Sequence, residues 1–83
     1  MDRDLFAALS AHRAALARVK AVPAYVIAPN RTLTEIALSR PRCVADLELC
    51  HGMGPARIAA YGEGLLTVVR ERDRDPAAGG SAS

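Results

Sequence analysis

From Asp4 to Lys20 the apolar residues Leu5, Leu9, Leu16 and Val19 fall at helical spacing, His12 shares their stripe, and alanines fill much of the remainder. This spacing predicts a long amphipathic helix. Asp2 or Asp4 can cap its start, where free amide groups and the helix dipole favour an acid, Lys20 suits its end, and Pro23 stops it. The segment from Ala21 to Arg31 carries Pro23, Pro29 and Asn30 and is expected as an ordered extended loop or a single tight turn. Val26 and Ile27 are expected to pin it to the core.

Thr32 followed by Glu35 has the form of a capping box, and Leu33, Ile36 and Ala37 supply the buried face of a second, short helix running to about Ser39. Pro41 ends it. A third short helix from about Val44 to Leu49 turns Val44 and Leu47 inward, with Cys43 a poor cap. His51-Gly52-Met53-Gly54 then makes a tight turn, with Pro55 at the first position of the next helix. Ile58, Tyr61, Leu65 and Val69 continue the spacing to about Arg72, and Gly62 splits this stretch into two helices or kinks one. Residues 73–83 hold, apart from Pro76, no apolar residue larger than alanine and are expected to be a disordered tail. The reading is one all-α helical bundle over residues 1–72, with no internal repeat and no second domain.

Composition narrows the function classes. Eighty-three residues make one small domain, too small for a large substrate cleft and expected to be a module of something longer. The hydrophobic fraction of 51% with 24% charged residues is that of a chain that folds. Net charge is +2, and residues 1–72 hold ten bases against seven acids, which permits nucleic-acid binding without demanding it. The longest apolar stretch, Ala21 to Pro29, is far short of a membrane span. The start Met-Asp-Arg-Asp lacks the features of a signal peptide, so the chain is expected to be intracellular, where two cysteines do not form a disulfide scaffold.

Catalysis has little to work with. Glu35, Asp46, Glu48 and Glu63 stand at helix caps or exposed positions and read as solvated acids. Gly52-Met53-Gly54 is not followed by the Lys-Ser/Thr pair that holds a triphosphate and magnesium. Neither an enzyme nor a catalytic residue is expected. Cys43, Cys50 and His51, with His12 as a fourth ligand, could be read as a zinc set, but their spacing fits neither paired-cysteine ribbons nor zinc fingers. A cysteine at a helix end serves as a small hydrophobe, and a histidine on an apolar stripe as a buried side chain with one hydrogen-bond partner, so no metal is expected.

Binding is better supplied. The run from Leu47 to Gly54 leading into Ile58 resembles a helix-hairpin-helix, in which Gly52 and Gly54 let the backbone turn tightly and aim amides at a phosphate. Pro55 has no amide hydrogen, so the donors fall to Ala56 and Arg57, with Arg57 adding charge. The same hairpin could equally serve only to pack two helices. Tyr25, in a proline-bounded loop between Lys20 and Arg31, could stack on an unpaired base while the cations contact phosphates, or its ring could pack in the core. Arg13 lies seven residues before Lys20 on one side of the first helix and extends that strip.

Leu5-Phe6 with Leu9, the loop Val22-Pro23-Ala24-Tyr25-Val26-Ile27, Thr32-Leu33 with Ile36-Ala37, Pro41, Leu47, the Gly52-Met53-Gly54 hairpin and Tyr61-Gly62 together resemble the HRDC domain, the helicase-and-RNase-D C-terminal module. The resemblance covers roughly Asp2 to Arg72, and the Pro-x-Tyr-Val-Ile loop is more similar to the domain of bacterial RecQ-type DNA helicases than to that of RNase D. It implies a compact five-helix, non-catalytic accessory domain with a helix-hairpin-helix-like C-terminal half. Such a domain binds single-stranded or branched DNA weakly and helps target the motor in DNA repair and recombination. It implies no cofactor in this domain, ATP and magnesium belonging to the parent helicase. It also implies a monomer with no membrane contact, in the bacterial cytoplasm at the nucleoid. Tyr25 corresponds to the loop aromatic that contacts single-stranded DNA. A competing reading, motivated by the modest charge and the alanine-rich first helix, is a docking module for the parent helicase core or a repair protein. The sequence departs from the family at His12, usually aliphatic, at Cys50-His51, and at alanines of the first helix where bases are common, which lowers the expected DNA affinity.

Overall fold

A computed structural model describes residues 2–74, and each of its secondary-structure elements is helical. Helix α1 spans Arg3–Lys20, α2 is the single turn Ala24–Ile27, α3 spans Asn30–Ser39 and α4 spans Val44–Leu47. Helix α5 covers residues 55–74, its α-helical parts Pro55–Arg57 and Glu63–Arg74 joined through a π-helical turn, Ile58–Gly62. The five-helix, all-α architecture is therefore the one expected. Helix α1 packs against α2, α3 and the second half of α5, while α4 lies against α5.

Asp2 caps α1 by accepting the Leu5 amide at 3.0 Å, and Leu5 and Leu9 are fully buried. The stripe does not run the whole length of the helix. Helix α2 packs against α1, and in the last turns of α1 Ala17 is buried while Val19 is exposed. The helix stops before Pro23, at Ala21, which adopts a left-handed conformation while the Val22 amide reaches back to the Ala17 carbonyl at 3.0 Å. Pro23 instead precedes α2, so the expected loop or turn closes one helical turn. Ile27 and Ala28 anchor it in the core, whereas Val26 faces outward.

The capping box does not form. Helix α3 begins two residues earlier than Thr32, after Pro29, which puts Thr32 inside the first turn and facing the core. Its hydroxyl donates to the His51 carbonyl at 2.7 Å, and the Glu35 carboxylate accepts the His51 amide at 3.0 Å. Both side chains therefore grip the hairpin rather than their own helix. Gly52 has φ +83°, and a Cβ there would lie 2.4 Å from the Thr32 hydroxyl, so the turn needs a glycine for both conformation and space.

Helix α4 ends at Leu47, which is buried as expected, whereas Val44, expected inward, is exposed because it stands at the helix start with no element packed over it, and Leu49, beyond the helix, faces out. Cys43 makes no side-chain cap. The interruption expected at Gly62 takes the form of the π-helical turn Ile58–Gly62, which divides α5 into its two α-helical parts without breaking the chain's helical path. Leu65, Leu66 and Val69 bury the inner face of α5. His12 sits against Gly64, where a Cβ would come within 2.8 Å of its Nε2, so α1 and α5 approach closely. That Nε2 is buried without a hydrogen bond, contrary to the single partner expected for it.

Asp73 and Arg74, counted with the tail on composition, continue α5. Arg40 pairs with Asp2 at 2.8 Å and with Asp73, and Arg42 pairs with Asp73 at 3.0 Å, so the starts of α1 and α4 and the ends of α3 and α5 share one ion-pair network. The rest of the expected tail, residues 75–83, lies outside the described residues.

Candidate nucleic-acid interface

A one-turn helix cannot sustain itself in water, so α2 must be held by its surroundings. Ile27 holds it from below, and two arginines hold its backbone. The guanidinium of Arg57 donates from Nε to the Ile27 carbonyl at 3.1 Å, from Nη2 to the Tyr25 carbonyl at 3.4 Å and from Nη1 to the Gly52 carbonyl at 3.1 Å. Arg13 donates from Nη1 to the Ala28 carbonyl at 2.9 Å. On this platform Tyr25 stands 67% exposed. Of its two readings the ring takes the outward one. Beside it opens a cleft of about 310 Å³ lined by Arg13, Ala24, Tyr25, Pro29 and Asn30.

The other strip residues divide. Arg31 follows the cleft and is exposed. Lys20 is exposed too, with its ammonium 5.7 Å from the centre of the Tyr61 ring, within cation–π range. Arg13 and Arg57 give donors to neutral carbonyls and so hold the loop in shape, while their positive charge stays uncompensated by any carboxylate among the described residues. At the hairpin the Gly52 carbonyl goes to Arg57 and the His51 amide to Glu35, while Gly54 faces open space. A carboxylate thus already occupies one anion-seeking amide of the turn. Pro29 and Asn30, which wall the cleft, and Glu35, which holds the hairpin, join the site through the fold and not through any binding motif of their own. The Pro-Asn pair carried the turn signal that could have marked the walls.

The residues weighed for other chemistry stand apart. Cys43 is exposed, Cys50 is buried with its sulfur 3.5 Å from the Ser39 hydroxyl, and His51 is exposed on the hairpin. Among the described residues no group of three or more His, Cys, Asp or Glu could hold a metal ion. Asp46 accepts the Arg42 amide at 3.3 Å, and Glu63 faces Arg70 at 3.9 Å. Ala7, Ala11 and Ala14 lie on the exposed side of α1. No helix among the described residues is long and apolar enough to cross a membrane.

Residues 2–69 match the HRDC domain family. The chain belongs to that family. Over 72 residues it is 35% identical to the ATP-dependent DNA helicase UvrD2 of Mycobacterium tuberculosis, covering 87% of this chain and 10% of the helicase. Over 73 residues this HRDC domain is 26% identical to the ATP-dependent DNA helicase RecQ of Pasteurella multocida, covering 88% of the chain and 12% of the helicase. The RecQ of Haemophilus influenzae is 27% identical over 70 residues, or 84% of the chain and 11% of that helicase. The HRDC chain thus spans about a tenth of the length of these curated relatives. Its fold and its relatives agree with the resemblance drawn from the loop, hairpin and helix-face residues.

Proposed function

We propose that this HRDC domain is a non-catalytic accessory module of an ATP-dependent DNA helicase of RecQ type. It binds single-stranded or branched DNA weakly and helps target the motor in DNA repair and recombination. The observation that carries the reading is the exposed Tyr25 ring on a backbone clamped by Arg13 and Arg57. A ring held in place before a base arrives loses little freedom on binding, and Arg31 and Lys20 add charge for phosphates. ATP and magnesium act in the helicase motor, and the domain itself uses no cofactor. It works as a monomer in the bacterial cytoplasm, where its DNA partner lies.

Few phosphates are neutralised, so affinity is no better than about micromolar and falls with salt by about one log unit per log of salt for each contact. A fluorescent-oligonucleotide titration tests this. Stacking of a base on an aromatic ring is worth about 1–3 kcal/mol, so Tyr25→Ala weakens binding at least about fivefold with the salt slope unchanged, and Tyr25→Phe changes it little. Arg31→Glu and Lys20→Glu lower affinity and flatten the slope. Absence of binding at low salt with protein up to roughly hundreds of micromolar would reject the proposal.

A further inference from the structure

A second surface differs from the Tyr25 side in both charge and shape. Leu38 is 60% exposed and Leu49 84%, and with part-exposed Val44 they belong to the α3–α4 region. Between α3 and the chain after α4 lies a cleft of about 290 Å³ lined by Glu35, Ser39, Asp46, Leu49 and Cys50. Leu38 stands one helical turn along from Glu35. The volume of about 290 Å³ falls just below the range for small-molecule pockets, about 300–1,000 Å³, and suits a side chain of a docked polypeptide better than a free ligand.

The charged residues that line the cleft, Glu35 and Asp46, are both acidic. Glu35 and Asp46 accept only backbone amides, those of His51 and Arg42, and Glu48 is exposed nearby in sequence. Among the described residues no cation pairs with any of these three carboxylates. Arg42, the nearest arginine in sequence to Asp46, is turned to Asp73 instead. Exposed leucines beside unpaired carboxylates repel a nucleic-acid backbone and complement a segment with opposite charge and an apolar stripe of its own.

We infer that this α3–α4 surface docks a basic amphipathic helix of a protein partner, with an apolar side chain of that helix against Leu49 and Cys50 and its Lys or Arg residues on Glu35 and Asp46. The surface is separate from the Tyr25 cleft, and its occupancy does not depend on DNA. Burying Leu49 against the partner supplies the affinity, and the carboxylates select the sign of the charge.

The probe is a synthetic helical peptide with leucines on one face flanked by lysines, titrated into the isotopically labelled domain and followed by amide chemical shifts. Controls are the same peptide with glutamates for lysines and a scrambled version of equal composition. The lysine peptide is expected to shift amides of Glu35, Ser39, Asp46, Leu49 and Cys50, and to weaken as salt rises. Leu49→Ser, at an exposed position that does not threaten folding, and Asp46→Asn each weaken it at least about fivefold, the equivalent of about 1 kcal/mol. A single-stranded oligonucleotide leaves these amides unmoved even where it shifts those around Tyr25, so failure of DNA binding and failure of docking are read separately. The inference is overturned if the lysine peptide shifts nothing there at millimolar concentration, if the glutamate or scrambled peptide binds equally well, or if neither substitution weakens binding.

Discussion

The Asp2 carboxylate accepts the Leu5 amide, pairs with Arg40 and lies in the field of Arg72. The backbone hydrogen bond first, and then the two arginines against the opposing effect of desolvation, hold its pKa below the ordinary 3.8. A carboxyl group with a lowered folded-state pKa stabilises the fold above its unfolded pKa, and that contribution is lost as pH falls through the folded value. Asp2→Ala is therefore expected to lose about 1 kcal/mol at neutral pH, as for a removed helix cap, with the gap to the parent shrinking below pH 3.8. Urea melts of both proteins across that range check it. A gap that widens on acidification would show the sign to be wrong. Asp2 was readable as a cap because the amide donor it accepts from, Leu5, lies within the first turn of its own helix. Arg57 was readable only as a charge, because its donors go to carbonyls of Tyr25 and Ile27, as far as 32 residues away.

Elements show the same division. Helix faces, the hairpin and the stop before Pro23 follow from periodicity and punctuation, which act within a few residues. The role of Thr32 and Glu35 does not, since Pro29 lets α3 start early and turns both side chains toward His51. Thr32→Val keeps the buried shape and removes the donor to the His51 carbonyl. It is expected to cost about 0.5–1.5 kcal/mol, the net worth of one hydrogen bond, because the His51 carbonyl is only part-buried and water can replace the hydroxyl. Amide hydrogen exchange at His51 and Gly52 should then speed up. Faster exchange confined to the first turn of α3, with His51 unchanged, would mean that Thr32 acts as a cap after all.

Across the whole molecule, Asp73 joins residues 40 and 42, and through Arg40 it reaches Asp2 at the other end of the chain. Its side chain is only 13% exposed, so salt and water screen it less than they would a tail residue. Asp73→Asn is expected to destabilise the domain by about 1 kcal/mol, with part of that difference removed at high salt. Ending the chain after Arg72 should cost at least as much. Equal melts for the parent, the substitution and the truncation would place Asp73 outside the folded unit.

Sequence alone determined the helical class, the order of the elements other than α2, the core residues Leu5, Leu9, Leu33, Ile36, Leu47, Leu65 and Val69, and the family, because each rests on local spacing, caps, prolines and glycines. It also brought Tyr25 forward as a candidate, though not which way the ring would face. Only the tertiary structure decided that Tyr25 is exposed, that Val19 and Val26 are too, that Arg13 and Arg57 support the loop, and that α5 includes Asp73. These outcomes depend on which carbonyls, carboxylates and neighbouring helices meet in space. Helical periodicity says which side of an element is apolar, and the packing of the other elements sets how much of that side is covered and which donors remain for a ligand.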